Sequence, residues 1–159
     1  MTHDPLMIPR SGPTDPQSVL FLCSLNSIRS PIAAALLKHL RGNRIHVQSA
    51  GIREGAALDG FAAAVMGELG IDITDHRPQT LDELDDRSFD LIVSLSPEAH
   101  HQALELTRTE AVAVEYWPIP DPTVAEGPRE VRLEAYRAVR DALAKRIRAR
   151  FPAPLFPKL

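Results

Sequence analysis

The 159-residue chain is 44% hydrophobic and 25% charged, a balance that favours one folded domain over a disordered chain. A formal net charge of −3 and an aromatic content of 5% argue against a nucleic-acid partner. The single cysteine, Cys23, excludes an internal disulfide framework and a thiolate-rich zinc site, and it favours a reducing compartment. No apolar run approaches the roughly 20 residues of a membrane span. We therefore expect a soluble, cytoplasmic protein with neither membrane nor nucleic-acid partners.

The two ends of the chain differ in composition from its middle. Residues 1–16 contain four prolines among Asp, Ser, Thr and Gly. They lack a periodic apolar face whose burial would offset the conformational entropy lost on ordering. They are predicted to form a mobile arm, and the proline-rich residues 152–159 a similar tail. Residues 17–151 are then the folded domain.

Four short apolar stretches alternate with helical patterns inside this domain. The first and third are continuous apolar runs, which are typical of strands in a sheet covered on both faces. The predicted strands cover residues 19–22, 45–48, 91–94 and 112–115. Strands that alternate with helices predict right-handed crossovers and a parallel sheet, and hence an α/β fold.

Capping residues and apolar spacing indicate the helices. Ser30 before Pro31 and Ser96 before Pro97 match an N-cap followed by a first-turn proline, and Asp59 opens a further helix. The longest helix is predicted from about residue 129 to residue 151. Its apolar residues recur at the spacing of one helix face: Leu133, Tyr136, Val139, Leu143 and Ile147.

The arginines of this last helix alternate with acidic residues, which predicts an ordinary solvated face rather than a partner-binding surface. They are Arg132, Arg137, Arg140, Arg146, Arg148 and Arg150. The adjacent His100 and His101, at the start of the preceding helix, are also expected to face solvent. The six histidines are scattered and no second cysteine exists, so no metal site is expected.

The segment from Cys23 to Ser30 joins the first strand to the first helix, and ligands of parallel α/β folds bind at such carboxyl ends of strands. Backbone N–H groups of the loop and of the first helical turn form an anion site. Such a site favours the thiolate form of Cys23. Arg29 adds a guanidinium fork that fits two oxygens of a phosphate-like anion. Asn26 suits a left-handed backbone position.

A lone cysteine at a strand end is, on its own, more often a small buried hydrophobic residue. The neighbouring Arg29, Ser30 and helix-starting Pro31 favour the nucleophile hypothesis, because a structural cysteine needs none of them. The cleavage of a phosphate ester also needs a proton donor beside the leaving group. Asp121 follows the last strand between Pro120 and Pro122, which fix its direction, and it is the candidate general acid.

Together these motifs resemble the low-molecular-weight protein tyrosine phosphatases and the thioredoxin-coupled arsenate reductases that share their fold. The resemblance spans nearly the whole folded unit, with the motifs in the family's order. They are Cys23 with Arg29-Ser30-Pro31, Asn26 inside the loop, Ser49-Ala50-Gly51, His76-Arg77 and Asp121-Pro122.

The resemblance implies a three-layer αβα fold with a four-stranded parallel sheet of flavodoxin-like topology, and a hydrolysis that uses no metal or cofactor. Cys23 would attack phosphorus to give a phosphocysteine, while Asp121 protonates the leaving oxygen and later activates water. Arg29 and the loop would hold the phosphoryl oxygens, and Ser49 and His76 would support Asn26. The loop residues implied in substrate binding are Ser24, Leu25, Asn26, Ser27, Ile28 and Ser30.

The sequence also departs from the family pattern. Leu25 stands where many relatives have Gly, and Ile28 where many have a second cysteine that could trap oxidised Cys23 as a disulfide. In members of the family that bind phosphotyrosine, aromatic residues usually follow the Asp-Pro pair. Here Thr123 and Val124 stand in those places. Phosphate chemistry is therefore better supported than selectivity for phosphotyrosine.

Three functions remain open from the sequence. The leading one is a cysteine-dependent phosphomonoesterase acting on a phosphorylated protein or a small phosphomonoester. The second is an arsenate reductase that borrows a small-molecule thiol, because arsenate mimics phosphate and the chain has no relay cysteines. The third is a non-catalytic sensor of oxyanions or phosphoproteins, which would need neither Cys23 nor Asp121.

Overall fold

The computed structural model describes residues 13–55 and 57–153. Most of the predicted arm (1–16) and tail (152–159) lies outside the described residues. The strands are β1 (Ser18–Cys23), β2 (His46–Gly51), β3 (Leu91–Ser94) and β4 (Ala113–Tyr116). The helices are α1 (Arg29–Arg41), α2 (Gly60–Gly67), α3 (Pro97–Leu106) and α4 (Arg129–Arg150). No described helix is both long enough and apolar enough to span a bilayer.

The four strands form one parallel sheet in the order β2-β1-β3-β4, which confirms the predicted α/β fold. Side chains of β1 alternate between two cores, as the two-residue period of a strand requires. Val19, Phe21 and Cys23 pack in a core with residues of α1, α2 and α4. Leu20 and Leu22 pack in a second core with residues of α3. Helices therefore cover both faces of the sheet.

The strand order places the loop after β1 at the centre of one sheet edge. The chain leaves β1 for β2 on one side and reaches β3 on the other, so the connections diverge between β1 and β3. In parallel α/β sheets, ligands bind at this topological switch point. Cys23, the last residue of β1, stands at that point.

The start of α1 differs from the prediction. The helix begins at Arg29, and the preceding Ile28 makes no side-chain capping bond. The prediction of Ser30 as the N-cap was wrong because its hydroxyl is engaged with Asn26 and Cys23 instead. The other two caps agree with the sequence: Asp59 accepts bonds from the first-turn amides of α2, and Ser96 from Ala99 of α3.

Helix α4 buries the predicted apolar stripe, but two of its arginines are also buried. Arg140 donates to the Val65 carbonyl at 2.7 Å and pairs with Glu68 at 2.8 Å. Arg150 pairs with Glu115 of β4 at 2.7 Å. The expectation of a uniformly solvated face was wrong for these two residues, which flank the stripe and supply donors to acceptors on α2 and β4.

The histidine pair of α3 is divided between two environments. His101 is exposed as expected, whereas His100 is half-buried. The Nδ1 atom of His100 lies 2.9 Å from Ser94 Oγ, and its ring stacks on Tyr116 at 4.5 Å between centroids. The solvent-facing prediction was therefore wrong for His100, which fastens α3 to the edge of the sheet.

Candidate active site

The loop between β1 and α1 brings together all the residues predicted to bind an oxyanion. Asn26 has a φ of 58° and is fully buried, so the loop turns through the left-handed conformation that Asn tolerates better than most residues. Leu25, at the outer edge of the loop, is 38% exposed. Cys23, at its base, is only 2% exposed.

The Cys23 sulfur contacts two polar groups. The Asn26 backbone N–H donates to Sγ at 3.3 Å, and Ser30 Oγ lies 2.9 Å from Sγ. Asn26 Nδ2 donates to the same Ser30 hydroxyl at 2.7 Å, so the hydroxyl proton is available either to the sulfur or to the Ala50 carbonyl, which lies 3.4 Å away. Both groups are positioned to donate hydrogen bonds to the sulfur.

The loop carbonyls are held from outside by the surrounding protein. Ser24 O accepts from the backbone amides of Ile52 and Arg53, both at 2.9 Å. Ser27 O accepts from the Asp59 amide at 3.1 Å. Fixing the carbonyls in this way turns the neighbouring N–H groups toward the inside of the loop.

The loop amides are correspondingly free to bind an anion. In the part of the chain that the structure describes, the N–H groups of Leu25, Ser27 and Ile28 have no hydrogen-bond acceptor. The first turn of α1 adds further N–H groups without intrahelical partners. The loop can therefore supply several backbone donors to a tetrahedral oxyanion at the Cys23 sulfur.

Asn26 is supported on every side by residues from other segments. Its Nδ2 donates to Ser49 Oγ at 3.0 Å, and its Oδ1 accepts from the Gln79 amide at 3.0 Å. Its carbonyl lies 2.9 Å from His76 Nε2, which donates because a carbonyl only accepts. Burial lowers the pKa of His76, and the charge of Lys38 lowers it further, against the opposite effect of that hydrogen bond. Neutral His76 retains the donor on Nε2.

Arg29 joins this loop to the segment that contains Asp121. Its Nη1 donates to the Ile119 carbonyl at 2.9 Å, so the guanidinium spans the gap between α1 and the proline-rich loop. Asp121 Oδ1 accepts from the amide and the hydroxyl of Thr123, at 2.9 and 2.7 Å. Among the described residues, Oδ2 of Asp121 has no hydrogen-bond partner. The carboxyl caps a short 3₁₀ turn, Pro122–Val124.

The electrostatic setting of Asp121 combines opposing effects. Partial burial raises the pKa of its carboxyl, but the two Thr123 hydrogen bonds and the charge of Arg29 outweigh it and hold the pKa below the ordinary value. In the ligand-free protein Asp121 is therefore ionised at neutral pH. A phosphoryl dianion placed beside it would shift this pKa upward by repulsion.

The sequence profile of the family described as low molecular weight phosphotyrosine protein phosphatase matches residues 18–153. The chain belongs to this family. It is 35% identical over 130 residues to an arsenate reductase of Halalkalibacterium halodurans, an alignment that covers 82% of this chain and 91% of that protein.

Solved structures of two kinds resemble the fold. The arginine phosphatase YwlE from Geobacillus stearothermophilus is 29% identical, with a TM-score of 0.68 over 83% of this chain and 88% of that one. An arsenate reductase in its phosphate-binding state is 28% identical, with a TM-score of 0.64 over 84% and 95% of the two chains. Phosphatases and arsenate reductases therefore both occur among the relatives of this family member.

Some contributors to the site have no signal in the sequence. Gln79 acts through its backbone amide on Asn26, and its Nε2 donates to Ser49 O at 3.0 Å. Ile119 contributes only a carbonyl. Within residues 13–55 and 57–153, no cluster of three His, Cys, Asp or Glu side chains is placed to hold a metal ion.

Two glycines allow the second strand and the following segment to reach the loop. A Cβ on Gly51 would lie 2.8 Å from the Leu25 carbonyl carbon and 2.9 Å from the Asn26 nitrogen. A Cβ on Gly55 would lie 2.5 Å from the Leu25 oxygen. Both contacts are with loop backbone, so neither could be relieved by a side-chain rotation.

Gly51→Ala and Gly55→Ala are expected to weaken the binding of inorganic phosphate by about tenfold or more, since relieving such overlap costs about 1–3 kcal/mol and moves the loop. Isothermal titration measures the affinity. Gly60→Ala is the matched control, because nothing lies within 4 Å of its added Cβ. Unchanged affinity in both loop-facing variants would contradict the role given to this backbone contact.

Proposed function

We propose that the protein is a cysteine-dependent phosphomonoesterase that works through a phosphocysteine intermediate. The observation that supports this most directly is the pairing of Cys23 Sγ with the Asn26 amide and the Ser30 hydroxyl in a loop with unpaired N–H groups. A phosphatase cycle needs one nucleophile and one acid. The chain has a single cysteine, and Arg29 connects its loop to the segment of Asp121.

In the first step, a lone pair of the Cys23 thiolate forms the S–P bond as the P–O bond to the leaving group breaks. Asp121 in its protonated form transfers a proton to the leaving oxygen. Arg29 and the loop amides bind the three equatorial oxygens, whose negative charge they stabilise in the transition state. Expected substrates are phosphorylated proteins or small phosphomonoesters.

In the second step, Asp121, now ionised, accepts a proton from water as the water oxygen attacks phosphorus. The S–P bond breaks, and its electron pair returns to the Cys23 sulfur as inorganic phosphate leaves. The Ser30 hydroxyl and the Asn26 amide stabilise the thiolate as a leaving group, just as they stabilise it before attack. Asn26 in turn depends on Ser49, His76 and Gln79 for its position.

The 35% identity to an arsenate reductase favours arsenate reduction as a second candidate. Cys23 would displace hydroxide or water from arsenate to form an S–As bond. A small-molecule thiol would then attack the sulfur, releasing arsenite and leaving a mixed disulfide on Cys23. A second thiol molecule would reduce that disulfide, so two thiols are oxidised for each As(V) reduced to As(III).

Turnover of an aryl phosphate separates these candidates. The wild-type protein is expected to hydrolyse p-nitrophenyl phosphate in the presence of EDTA, and Cys23→Ser is expected to reduce this activity to background because the hydroxyl is a far weaker nucleophile. Arsenite production with glutathione or mycothiol, measured in parallel, is expected to be negligible. Thiol-dependent arsenite production without phosphatase turnover would replace the proposal with the second candidate.

Asp121→Asn tests the acid. The change is expected to reduce kcat by about 10²- to 10⁴-fold on phenyl phosphate, whose leaving group needs protonation, and by much less on an activated aryl phosphate. Because the low pKa of Asp121 leaves little of the acid form at high pH, wild-type kcat/KM on phenyl phosphate should fall as pH rises above the acid range. Equal losses on both substrates would remove Asp121 from this role.

A further inference from the structure

The start of α2 and the N-terminal part of α4 meet beside the Cys23 loop. The Asp59 amide at the start of α2 donates to Ser27 O of the loop at 3.1 Å. Tyr136 of α4 donates its hydroxyl to Asp59 Oδ2 at 3.0 Å. Phe61 packs edge-on against Tyr136, with 5.3 Å between ring centroids. These contacts make the α2–α4 junction one wall of the region in front of the loop.

Two arginines from the first turn of α4 lie over this wall. The guanidinium carbon of Arg132 is 4.7 Å from the Phe61 ring centroid, and that of Arg129 is 5.5 Å from it. Arg129 and Arg132 are both exposed to solvent. We call Arg129 and Arg132 the rim arginines.

The rim arginines keep their charge unpaired. The nearby carboxylates Glu130 and Glu134 both bond to Arg137, at 2.7 and 3.0 Å. Across the described ranges, neither rim arginine has an ion-pair partner. Glu126, in the preceding linker, likewise pairs with no arginine there. Asp59 and Asp121 also lie near Tyr136, but backbone amides bond to both carboxylates and neither forms an ion pair with a rim arginine.

Helix stability does not account for these two positions. Positive side chains in the first turn of a helix are opposed by the positive end of the helix dipole. Stacking on Phe61 offsets part of that cost, but an uncharged residue could cover the ring equally well. An anionic ligand would gain from both charges.

The rim arginines also lie close to the proposed acid. The 3₁₀ turn that follows Asp121 packs against α4, and the Tyr136 hydroxyl is within electrostatic reach of both Asp121 and Arg132. A general acid contacts the leaving oxygen. A substrate whose leaving oxygen contacts Asp121 can therefore place the groups beyond that oxygen beside the start of α4.

We propose that Arg129 and Arg132 select substrates with a second anionic group on the leaving-group side of the scissile phosphate, such as a carboxylate next to a phosphorylated residue. This inference rests on the proposed phosphatase function. In this proposal the charges of the rim arginines recognise the leaving group, because Thr123 and Val124 supply no aromatic ring to contact it.

The test compares kcat/KM for two phosphotyrosyl peptides of equal length, one with glutamates and one with lysines beside the phosphotyrosine. The wild-type protein is expected to prefer the acidic peptide by about two- to fivefold for each guanidinium–carboxylate pair formed. The preference should shrink in high salt, because exposed charges are screened. A second pair of probes, 4-carboxyphenyl and 4-carboxamidophenyl phosphate, shows whether an anion on the leaving group itself suffices.

Charge reversal distinguishes recognition from a structural role. The Arg129→Glu/Arg132→Glu variant is expected to prefer the lysine peptide, a reversal that a merely destabilised protein would not show. Arg148→Glu, at an exposed position in the last turn of α4, is the matched control and should keep the wild-type preference. Thermal unfolding checks that each variant is folded.

Equal kcat/KM for the two peptides in the wild-type protein, or an unchanged preference after charge reversal, would overturn the inference while leaving the phosphatase proposal intact. If no phosphate ester is hydrolysed, the phosphatase proposal fails. Titration of the same two peptides into the Cys23→Ser variant then decides the inference by affinity. A stronger affinity for the acidic peptide supports it, and equal affinities reject it.

Discussion

The outward anchoring of the loop carbonyls is the constraint on which the site depends. Amides of Ile52, Arg53 and Asp59 bind the carbonyls of Ser24 and Ser27 from outside. In a trans peptide the N–H points away from the carbonyl, so the amides that follow Ser24 and Ser27 are turned away from these anchors, and the Asn26 amide contacts the Cys23 sulfur. Backbone donors that are fixed before a ligand arrives need no reorganisation when negative charge develops, and this is the largest contribution to many enzymatic rate accelerations.

The fold supplies the anchors because separate parts of the chain converge at one edge of the sheet. The segment after β2 holds the outer side of the loop, and the region around His76 and Gln79 holds Asn26. Arg29 then connects the loop to the segment after β4. Since the anchors lie on three different connections, the loop keeps its shape only while the layered core positions all three together.

Much of this arrangement could be predicted from the sequence, because it depends on local chemistry. Continuous apolar runs identified β1 and β3. The left-handed backbone position that the sequence predicted at Asn26 is present in the structure. Contacts that depend on tertiary placement could not be predicted. Gln79 acts through its backbone amide, which every residue except proline has, so its side chain gives no signal in the sequence. Ser30 matches a helix N-cap in the sequence, but its hydroxyl contacts the Cys23 sulfur instead. The burial of Arg140 likewise depends on an acceptor in another helix.

The most direct test of the account is alkylation of Cys23 by iodoacetate with and without inorganic phosphate. The chain has only one thiol, so mass spectrometry detects alkylation of Cys23 as the mass of one added carboxymethyl group. If the loop donors surround the sulfur as described, phosphate at saturating concentration should slow alkylation strongly, arsenate should do the same, and chloride at equal ionic strength should not. A labelling rate that phosphate leaves unchanged would contradict the account, because it would mean that no oxyanion binds over the sulfur.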